Sequence, residues 1–318
     1  MIIISFDNKL GDSVKPEGRR FMNEHVSVAN PAPKAKQKST TPTKIDFTKP
    51  AGEEAYCAPD SVQWRVFKNP IALAVGGVAA VLLEFADARI RSGVWDHSVY
   101  PTDPIGRSQR TGMAAMIGVY GPKSVARQVI GGVNRMHAKV AGETPKGESY
   151  TALDPELLDW VWATAQYGFL TGYDRFVSSL TDVEKRRFWS EGDDLAKLYR
   201  VTHVPHSEAE FLEMMAGLLP RFEPHPINGE FLEIIESGKA RPEIPKFMHR
   251  ALARAAVDIL PPVVREKLEL GPKWDLSLHE RIMVKAMGKL ADRKKDRDSP
   301  AWQAAIRLGL PGDTAWRH

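Results

Sequence analysis

The residues best placed to do chemistry are a histidine on a predicted helix and a group of basic and hydroxyl residues that precedes it. His137 follows Val125, Val129 and Val133 at every fourth position, so the four lie on one face of an α-helix. A buried imidazole must find a hydrogen bond, lose its charge or bind a metal ion, because leaving it unsatisfied costs about 1 to 3 kcal/mol. His137 is therefore a candidate metal ligand, with a hydrogen-bonded core histidine as the alternative.

Arg107, Arg110 and Thr111 form the second candidate group. Two guanidinium groups beside a hydroxyl can hold the carboxylates of a cofactor and can hydrogen-bond a small ligand such as dioxygen. The alternative is a solvated helix start, since most arginines lie on protein surfaces. His97 precedes this group and could be a second ligand, a pocket wall or a capping group in a loop.

Aromatic and acidic residues later in the chain are weaker candidates. Trp160 and Trp162 lie in an aromatic and aliphatic helix that could wall a flat macrocycle or an isoprenoid, although such stripes usually form core. Glu184 and Glu191 could supply acid or base chemistry, but their charged neighbours favour a position facing solvent.

Several common chemistries are excluded by what the sequence lacks. It contains no Ser-His-Asp order, glycine-rich phosphate loop or His-Glu-x-x-His helix. With Cys57 as its one cysteine, a single chain can build neither a disulfide framework nor a thiolate metal cluster. His203 and His206 lie on a proline-containing loop, where a surface position is expected and metal binding is the alternative.

Composition indicates a globular protein. The chain has 318 residues, 43% of them hydrophobic, and can bury a sizeable core. Its net charge of +4 is weak, and much of the excess lies in the first fifty positions and the terminal region rather than on one face, so nucleic-acid binding is not indicated. No basic segment precedes the short apolar run at the start, so we expect no secretory signal and a cytoplasmic protein.

The most apolar run, Ile71 to Leu83, is shorter than the about 20 residues that a transmembrane helix needs. We therefore expect no transmembrane segment and read this run as a core helix. Gly76 and Gly77 within it would let another helix or a flat ligand approach closely.

Helix-start signals recur along the chain and few strand-like patterns compete with them. Capping residues precede helices at Asn69, Asp154, Thr181, Ser207 and Ser277. The predicted helices are roughly 70–91, 105–118, 121–140, 154–177, 181–199, 207–219, 228–237, 243–257 and 277–291. The expected architecture is all-α: a single large helical domain over 69–318 after a largely irregular N-terminal arm over 1–68, which is rich in Pro, Lys, Ser and Thr.

A family resemblance follows from motifs that occur in order from about residue 69 to residue 219. The motifs that carry it are Asn69-Pro70, Asp96-His97-Ser98, Pro104-x-x-Arg107-x-x-Arg110-Thr111, Tyr120-Gly121, Met136-His137-x-x-Val140-x-Gly142, and Tyr150-x-Ala152-x-Asp154-Pro155-Glu156-Leu157-Leu158-x-Trp160-Val161. In these the chain resembles the haem-dependent oxygenase family that joins latex-clearing rubber oxygenases to the fungal MpaB oxygenases, which cleave a prenyl side chain in mycophenolic acid biosynthesis.

The resemblance implies a globin-like helical fold that holds haem b, with His137 as the proximal iron ligand. Arg107 and Thr111 match the arginine and threonine of a distal Arg-x-x-Lys-Thr element, while Arg110 replaces its lysine. Because a guanidinium is broad and keeps its proton, we expect an open or water-bound sixth position rather than ligation by Arg110. His97 and Trp160 are further candidates for cofactor contact.

The resulting hypothesis is a haem b oxygenase that uses dioxygen on a small, apolar substrate of the alkene-containing, isoprenoid-like kind, near Arg107, Arg110 and Thr111. One alternative is a haem-binding carrier or sensor without catalysis. Another is a helical interaction protein without a cofactor, in which core hydrogen bonds satisfy His137. The sequence leaves the oligomeric state open.

Overall fold

Helices joined by tight corners make up most of the chain that the computed structural model describes, which is residues 45–100, 102–239, 242 and 244–317. In chain order the helices are α1 (Val62–Phe67), α2 (Pro70–Phe85), α3 (Ala88–His97), α4 (Pro104–Tyr120), α5 (Lys123–His137), α6 (Pro155–Phe176), α7 (Asp182–Ser190), α8 (Asp193–Leu198), α9 (Glu208–Leu218), α10 (Pro226–Glu236), α11 (Lys246–Asp258), α12 (Pro262–Lys267), α13 (Leu278–Arg293) and α14 (Pro300–Arg307). Between α5 and α6, β1 (Ala141–Glu143) pairs antiparallel with β2 (Ser149–Thr151). The predicted all-α class is confirmed.

Each of the five predicted capping residues is the N-cap of a helix in the structure. The Asn69 side chain accepts hydrogen bonds from two amides in the first turn of α2. Thr181 and Ser277 form capping boxes with the glutamate three residues later, and Asp154 and Ser207 each accept one amide hydrogen bond. These local side-chain bonds satisfy amides that have no partner within the helix, which is why the sequence predicts them well.

Two predicted helices are each broken in two. The segment 70–91 ends as α2 at Phe85, and Asp87 then caps α3 by accepting the Arg89 amide. The segment 181–199 is interrupted at Gly192, where a Cβ would lie 2.9 Å from the Trp162 ring. Both breaks depend on packing or capping inside a stretch whose periodicity continues, so the pattern alone does not reveal them.

The most apolar run of the chain forms the body of α2 and lies inside the protein. Val75, Ala79 and Leu82 are fully buried there. In the part of the chain that the structure describes, no helix is both long and apolar enough to cross a membrane. The prediction of a core helix is confirmed, and the cytoplasmic location stays a prediction.

The helices α2 and α6 cross in direct backbone contact. A Cβ on Gly76 would collide with the Gly168 carbonyl, and a Cβ on Gly168 would collide with the Gly76 carbonyl. Gly172 continues the contact, since its Cβ would lie 3.0 Å from the Ala72 oxygen. The two helices run antiparallel, because Ala72 faces Gly172 while Leu83, near the other end of α2, accepts a hydrogen bond from Trp160. The glycine allows another helix to approach, as the sequence predicts.

The predicted N-terminal arm is described in part. Residues 1–44 lie outside the described residues. Over 45–61 the chain forms no helix or strand, yet Phe47 and Cys57 are buried. The helix α1 follows and buries Trp64 completely. The boundary between arm and domain at residue 68 stays a prediction.

Arg307 on α14 forms hydrogen bonds with residues that lie far apart in the chain. Its buried guanidinium donates hydrogen bonds to the carbonyls of Glu53, Phe47 and Tyr120, at 2.7, 2.8 and 2.8 Å. Tyr120 ends α4, and its hydroxyl donates to the Trp64 carbonyl at 2.6 Å. Arg307 therefore links the segment before α1, the end of α4 and the last helix.

Gly76→Ala should destabilise the protein by at least about 2 kcal/mol, because the added methyl group has to push two helix backbones apart. Thermal and urea unfolding followed by circular dichroism would measure the change. Gly77→Ala is the matched control: its Cβ would make only ordinary contact with Phe169, at 3.7 Å, and alanine favours helix over glycine. Equal stability of both variants would contradict the close crossing.

His225 should make stability depend on pH. It caps α10 by accepting the Ile227 amide at 3.2 Å, and burial together with the charge of Arg91 lowers its pKa in the fold. The imidazole of the unfolded chain therefore binds a proton more readily than that of the folded protein. The free energy of unfolding should be highest above the ordinary pKa of 6.5 and should fall as the pH drops below that value. The fall should end once the folded imidazole is protonated as well. His225→Asn keeps a capping acceptor without titrating and should flatten a plot of melting temperature against pH; an unchanged slope would refute the assignment.

Candidate functional site

His137 is the last residue of α5 and lies on the buried face of that helix. Ala126, Ile130 and Val133 precede it on this face and are almost completely buried, and His137 itself is 8% exposed. The helix ends there because the chain turns through Ala138 into the β-hairpin. The predicted inward position of His137 is confirmed.

An apolar cavity of about 50 Å³ lies beside His137. Its walls come from α3, the β-hairpin and the first turns of α6. It is lined by Arg89, Ile90, Gly93, Val94, His137, Val140, Tyr150, Ala152, Leu157, Leu158 and Val161. The histidine is thus one of few polar groups on an otherwise apolar surface, as in ligand sites that bury most of a small molecule.

Arg89 is the charged residue in the cavity wall. Its guanidinium is held by Asp87 and by Glu156, each at 2.7 Å. Burial alone would lower the pKa of Arg89, but the hydrogen bonds and charges of the two carboxylates raise it. The cation at this wall is therefore permanent and fixed in direction by α3 and α6 together.

The inward face of α4 carries the second group of predicted residues. Arg107 is 4% exposed, and Arg110 and Thr111 lie one turn further on and are half-buried. Arg110 also forms an ion pair of 3.5 Å with Asp103, the cap of α4. A solvated helix start does not describe Arg107, whose whole side chain is inside the protein.

Polar atoms on this face are buried without hydrogen-bond partners among the described residues. They are Nε and Nη2 of Arg107, Nε of Arg110 and Oγ1 of Thr111. Buried donors without an acceptor are rare in native proteins and usually mark a strained, catalytic or ligand-binding position. The face is therefore suited to a ligand that brings acceptor atoms.

The surroundings of Arg107 are aromatic and acidic. Its guanidinium carbon lies 5.9 Å from the centre of the Tyr100 ring, which in turn meets Phe85 edge-on at 5.6 Å. Burial lowers the pKa of Arg107, and the charge of Glu84 at the end of α2 opposes that change. Glu84 is itself buried and accepts a hydrogen bond of 3.5 Å from Thr164 on α6.

The structure groups the predicted residues only in part. Only Gly121 and Pro122 join α4 to α5, so Arg107 and His137 both lie at helix ends remote from that connection. Arg107, Arg110 and Thr111 share one face, but they are not among the residues that line the cavity beside His137.

His97 and Trp160 are placed near the site but in different ways. The His97 ring meets the edge of Tyr150, a cavity residue, at 6.3 Å between ring centres. Trp160 is fully buried, donates to the Leu83 carbonyl at 3.3 Å and stacks on Phe211 at 5.5 Å. Neither lines the cavity, whereas three neighbours of Trp160 on α6 do, so contact of His97 and Trp160 with a cofactor stays a prediction.

The weaker candidates have structural partners. Glu191 accepts hydrogen bonds from the first two amides of α1, and Glu184 closes the capping box of α7 and pairs with Arg65. His206 is exposed and lies 3.1 Å from Asp193. The described residues contain no group of three or more His, Cys, Asp or Glu side chains that could hold a metal ion.

The residues beside His137 fit a haem in chemical terms. A haem iron needs only one or two protein ligands, and an imidazole nitrogen is a common one. The apolar walls suit a macrocycle, and on α4, outside the lining of this cavity, the donors of Arg107 and Thr111 that have no partner among the described residues suit carboxylates or a small polar ligand. A cavity of about 50 Å³ is smaller than a tetrapyrrole, so haem would need a wider space beside His137 than this structure has.

The structure is thus an all-α domain with a buried histidine at an apolar cavity, and its helix α4 carries buried arginine and hydroxyl groups without partners among the described residues. The family described as ER-bound oxygenase mpaB/B'/rubber oxygenase, catalytic domain, matches residues 64–292, well over half of the chain. The chain belongs to this family and carries an oxygenase catalytic domain. No curated protein and no solved structure matches it.

Sequence reasoning missed Glu84, Arg89 and Tyr100. Glu84 directly follows the most apolar run of the chain, and this position was the signal in the sequence that its carboxylate would be buried. Arg89 and Tyr100 carry no motif of their own, and for Arg89 one of the two carboxylate partners, Glu156, comes from the distant α6. All three become recognisable only when α2, α3 and α6 are assembled.

Arg107→Met should leave the stability of the cofactor-free protein unchanged or raise it by up to about 2 kcal/mol, because it removes buried donors that have no acceptor. Chemical unfolding measures the difference. Arg186→Met, on the exposed surface of α7, is the control and should have little effect. A loss of more than about 2 kcal/mol in the Arg107 variant would mean that the guanidinium stabilises the fold.

Proposed function

We propose that this chain is a haem b-dependent oxygenase that uses dioxygen to oxidise a small apolar substrate containing an alkene, such as an isoprenoid. The observation that carries the proposal is the buried His137 at the edge of an apolar cavity, inside a family of oxygenase domains. Haem, when bound, would supply the binding and activation of dioxygen.

His137 would hold the cofactor through one ring nitrogen. Its place at the end of α5 supports this role, because Val133 and Ile130 behind it are rigidly buried and fix the direction of the helix. Ligation would use a ring nitrogen of the neutral imidazole. The apolar wall would also keep water away from the ligand atom.

The face of α4 would supply donors for charge. Nε and Nη2 of Arg107 and Oγ1 of Thr111 are buried and have no hydrogen-bond partner among the described residues, so they could donate to cofactor carboxylates or to the partial negative charge that develops on dioxygen. Arg110 is tied to Asp103 and keeps its proton, which suits a donor and not an iron ligand. These roles assign Arg107, Arg110 and Thr111 to the catalytic side of the site.

The walls of the cavity would select the substrate. Aliphatic side chains on α3 and α6, including Ile90, Val94 and Leu157, present no hydrogen-bonding groups. Such a surface gains free energy by burying hydrocarbon and gives a polar substrate nothing in return. The proposal is therefore an apolar substrate, with the alkene as the bond that reacts.

His137→Ala should reduce haem content at least about tenfold, since it removes the proposed ligand of the iron. Absorption spectra of the protein, produced with added haem precursor and recorded oxidised and reduced, measure the loss of the Soret band. His203→Ala, an exposed histidine elsewhere, should retain the full band. Full haem content in the His137 variant would refute the ligand assignment, and no band in the unaltered protein would refute the haem proposal.

Oxygen uptake distinguishes the oxygenase from a haem carrier or sensor. The haem-loaded protein should consume dioxygen when given a short isoprenoid alkene and should not respond to the saturated analogue of the same length. A Soret band without alkene-dependent uptake across a panel of such alkenes would favour the carrier or sensor.

A further inference from the structure

The outward face of α13 combines apolar and basic side chains in one strip. At about 100° per residue, the helix positions that face solvent fall within an arc of about 140°. Leu278, Ile282 and Leu290 are 73%, 60% and 67% exposed there. Lys285 and Lys289 lie between them, and no acidic residue shares the arc. Three large aliphatic side chains so exposed on one helix are unusual on a protein surface that faces only water.

The opposite face of α13 is buried and closely packed, so the exposed strip does not result from loose packing. Glu280 is buried and accepts hydrogen bonds from Arg254 at 2.9 and 3.1 Å. Val284 is fully buried, and Gly288 lies so close to the end of α6 that a Cβ there would collide with the Phe176 carbonyl. The helix therefore presents its outward strip as a fixed surface.

An open groove of about 500 Å³ adjoins the strip and adds positive charge. It lies between α13 and the end of α6, and is lined by Arg175, Ser178, Ser179, Lys285 and Lys289 together with Asp174, Phe176 and Val177. Asp174 is already paired with Lys185 at 3.0 Å. Among the described residues no carboxylate pairs with Arg175, Lys285 or Lys289.

We propose that this face binds the surface of a bilayer that contains anionic phospholipid, with Leu278, Ile282 and Leu290 in the boundary between headgroups and acyl chains. The lysines and Arg175 would then meet lipid phosphates, and Ser178 and Ser179 could donate hydrogen bonds to them. Aliphatic residues alternating with lysines along one helix face are the usual pattern of a helix lying in the membrane interface. This inference does not depend on haem or on the proposed reaction.

The charge pattern favours a bilayer over a protein partner or free phosphate. A protein surface that covered the aliphatic residues would also have to neutralise the lysines between them, whereas an anionic bilayer meets both needs at once. Free phosphate would use the groove alone and leave Leu278 and Ile282 exposed.

Sedimentation with vesicles tests the proposal on the full chain. Binding should be at least about tenfold stronger to vesicles of phosphatidylcholine with phosphatidylserine than to phosphatidylcholine alone, and should weaken with added salt. Leu278→Ser/Ile282→Ser and Lys285→Glu/Lys289→Glu should each reduce it at least about tenfold. Lys285→Arg/Lys289→Arg should retain it. Circular dichroism confirms that these surface variants are folded.

The control has the same change in charge at other exposed lysines, as Lys239→Glu/Lys267→Glu, and should bind vesicles nearly as well as the unaltered protein. Equal losses in both charge variants, or no preference for anionic vesicles, would overturn the proposal. So would competition by millimolar inorganic phosphate, which would assign the groove to a soluble anion. If the unaltered protein is a dimer and Leu278→Ser/Ile282→Ser is a monomer, the face binds a second copy of the chain instead. If residues 1–44 are protected from hydrogen exchange in the unaltered protein and lose that protection in this variant, the face binds that segment instead.

Discussion

The backbone contact between α2 and α6 determines where the rest of the site can lie. Because neither Gly76 nor Gly168 has a side chain, α2 and α6 cross so closely that they also touch beyond these two glycines. The antiparallel direction brings the end of α2, with Glu84, beside Thr164 on α6. Earlier in α6, Leu157, Leu158 and Val161 form part of the wall of the cavity beside His137. Loss of this approach would separate the acidic group from the apolar wall.

Among the described residues, the inward face of α4 groups four buried side-chain atoms that have no hydrogen-bond partner. Two other buried arginines are well satisfied: Arg89 has two carboxylates, and Arg307 has three carbonyls. Arg107 is as deeply buried but leaves two of its nitrogens without an acceptor among the described residues. Proteins tend to retain such unfavourable positions where a ligand completes them, and the oxygenase family of this chain gives that ligand a chemical context.

The sequence predicted those features that depend on neighbouring residues. Helix starts at Asn69, Thr181 and Ser277, the burial of His137 and the shared face of Arg107 and Thr111 follow from capping and helical periodicity. The role of Glu84 could not be predicted, because its partner Thr164 lies on α6, 80 positions further along the chain. The break at Asp87 was missed since its capping bond competes with a periodicity that continues through it.

The three hydrogen bonds of Arg307 have a consequence for the order in which the molecule forms. Phe47 and Arg307 are separated by 260 positions, and the carbonyl of Tyr120 joins the same guanidinium. During synthesis the segment around Phe47 leaves the ribosome 260 residues before Arg307, so it has to stay without this partner until α14 has been made. Assembly of the intervening helices first would shorten the loop that this contact has to close. Chains truncated before α14 would lack all three hydrogen bonds, and their segment around Phe47 should be cleaved more readily by proteases.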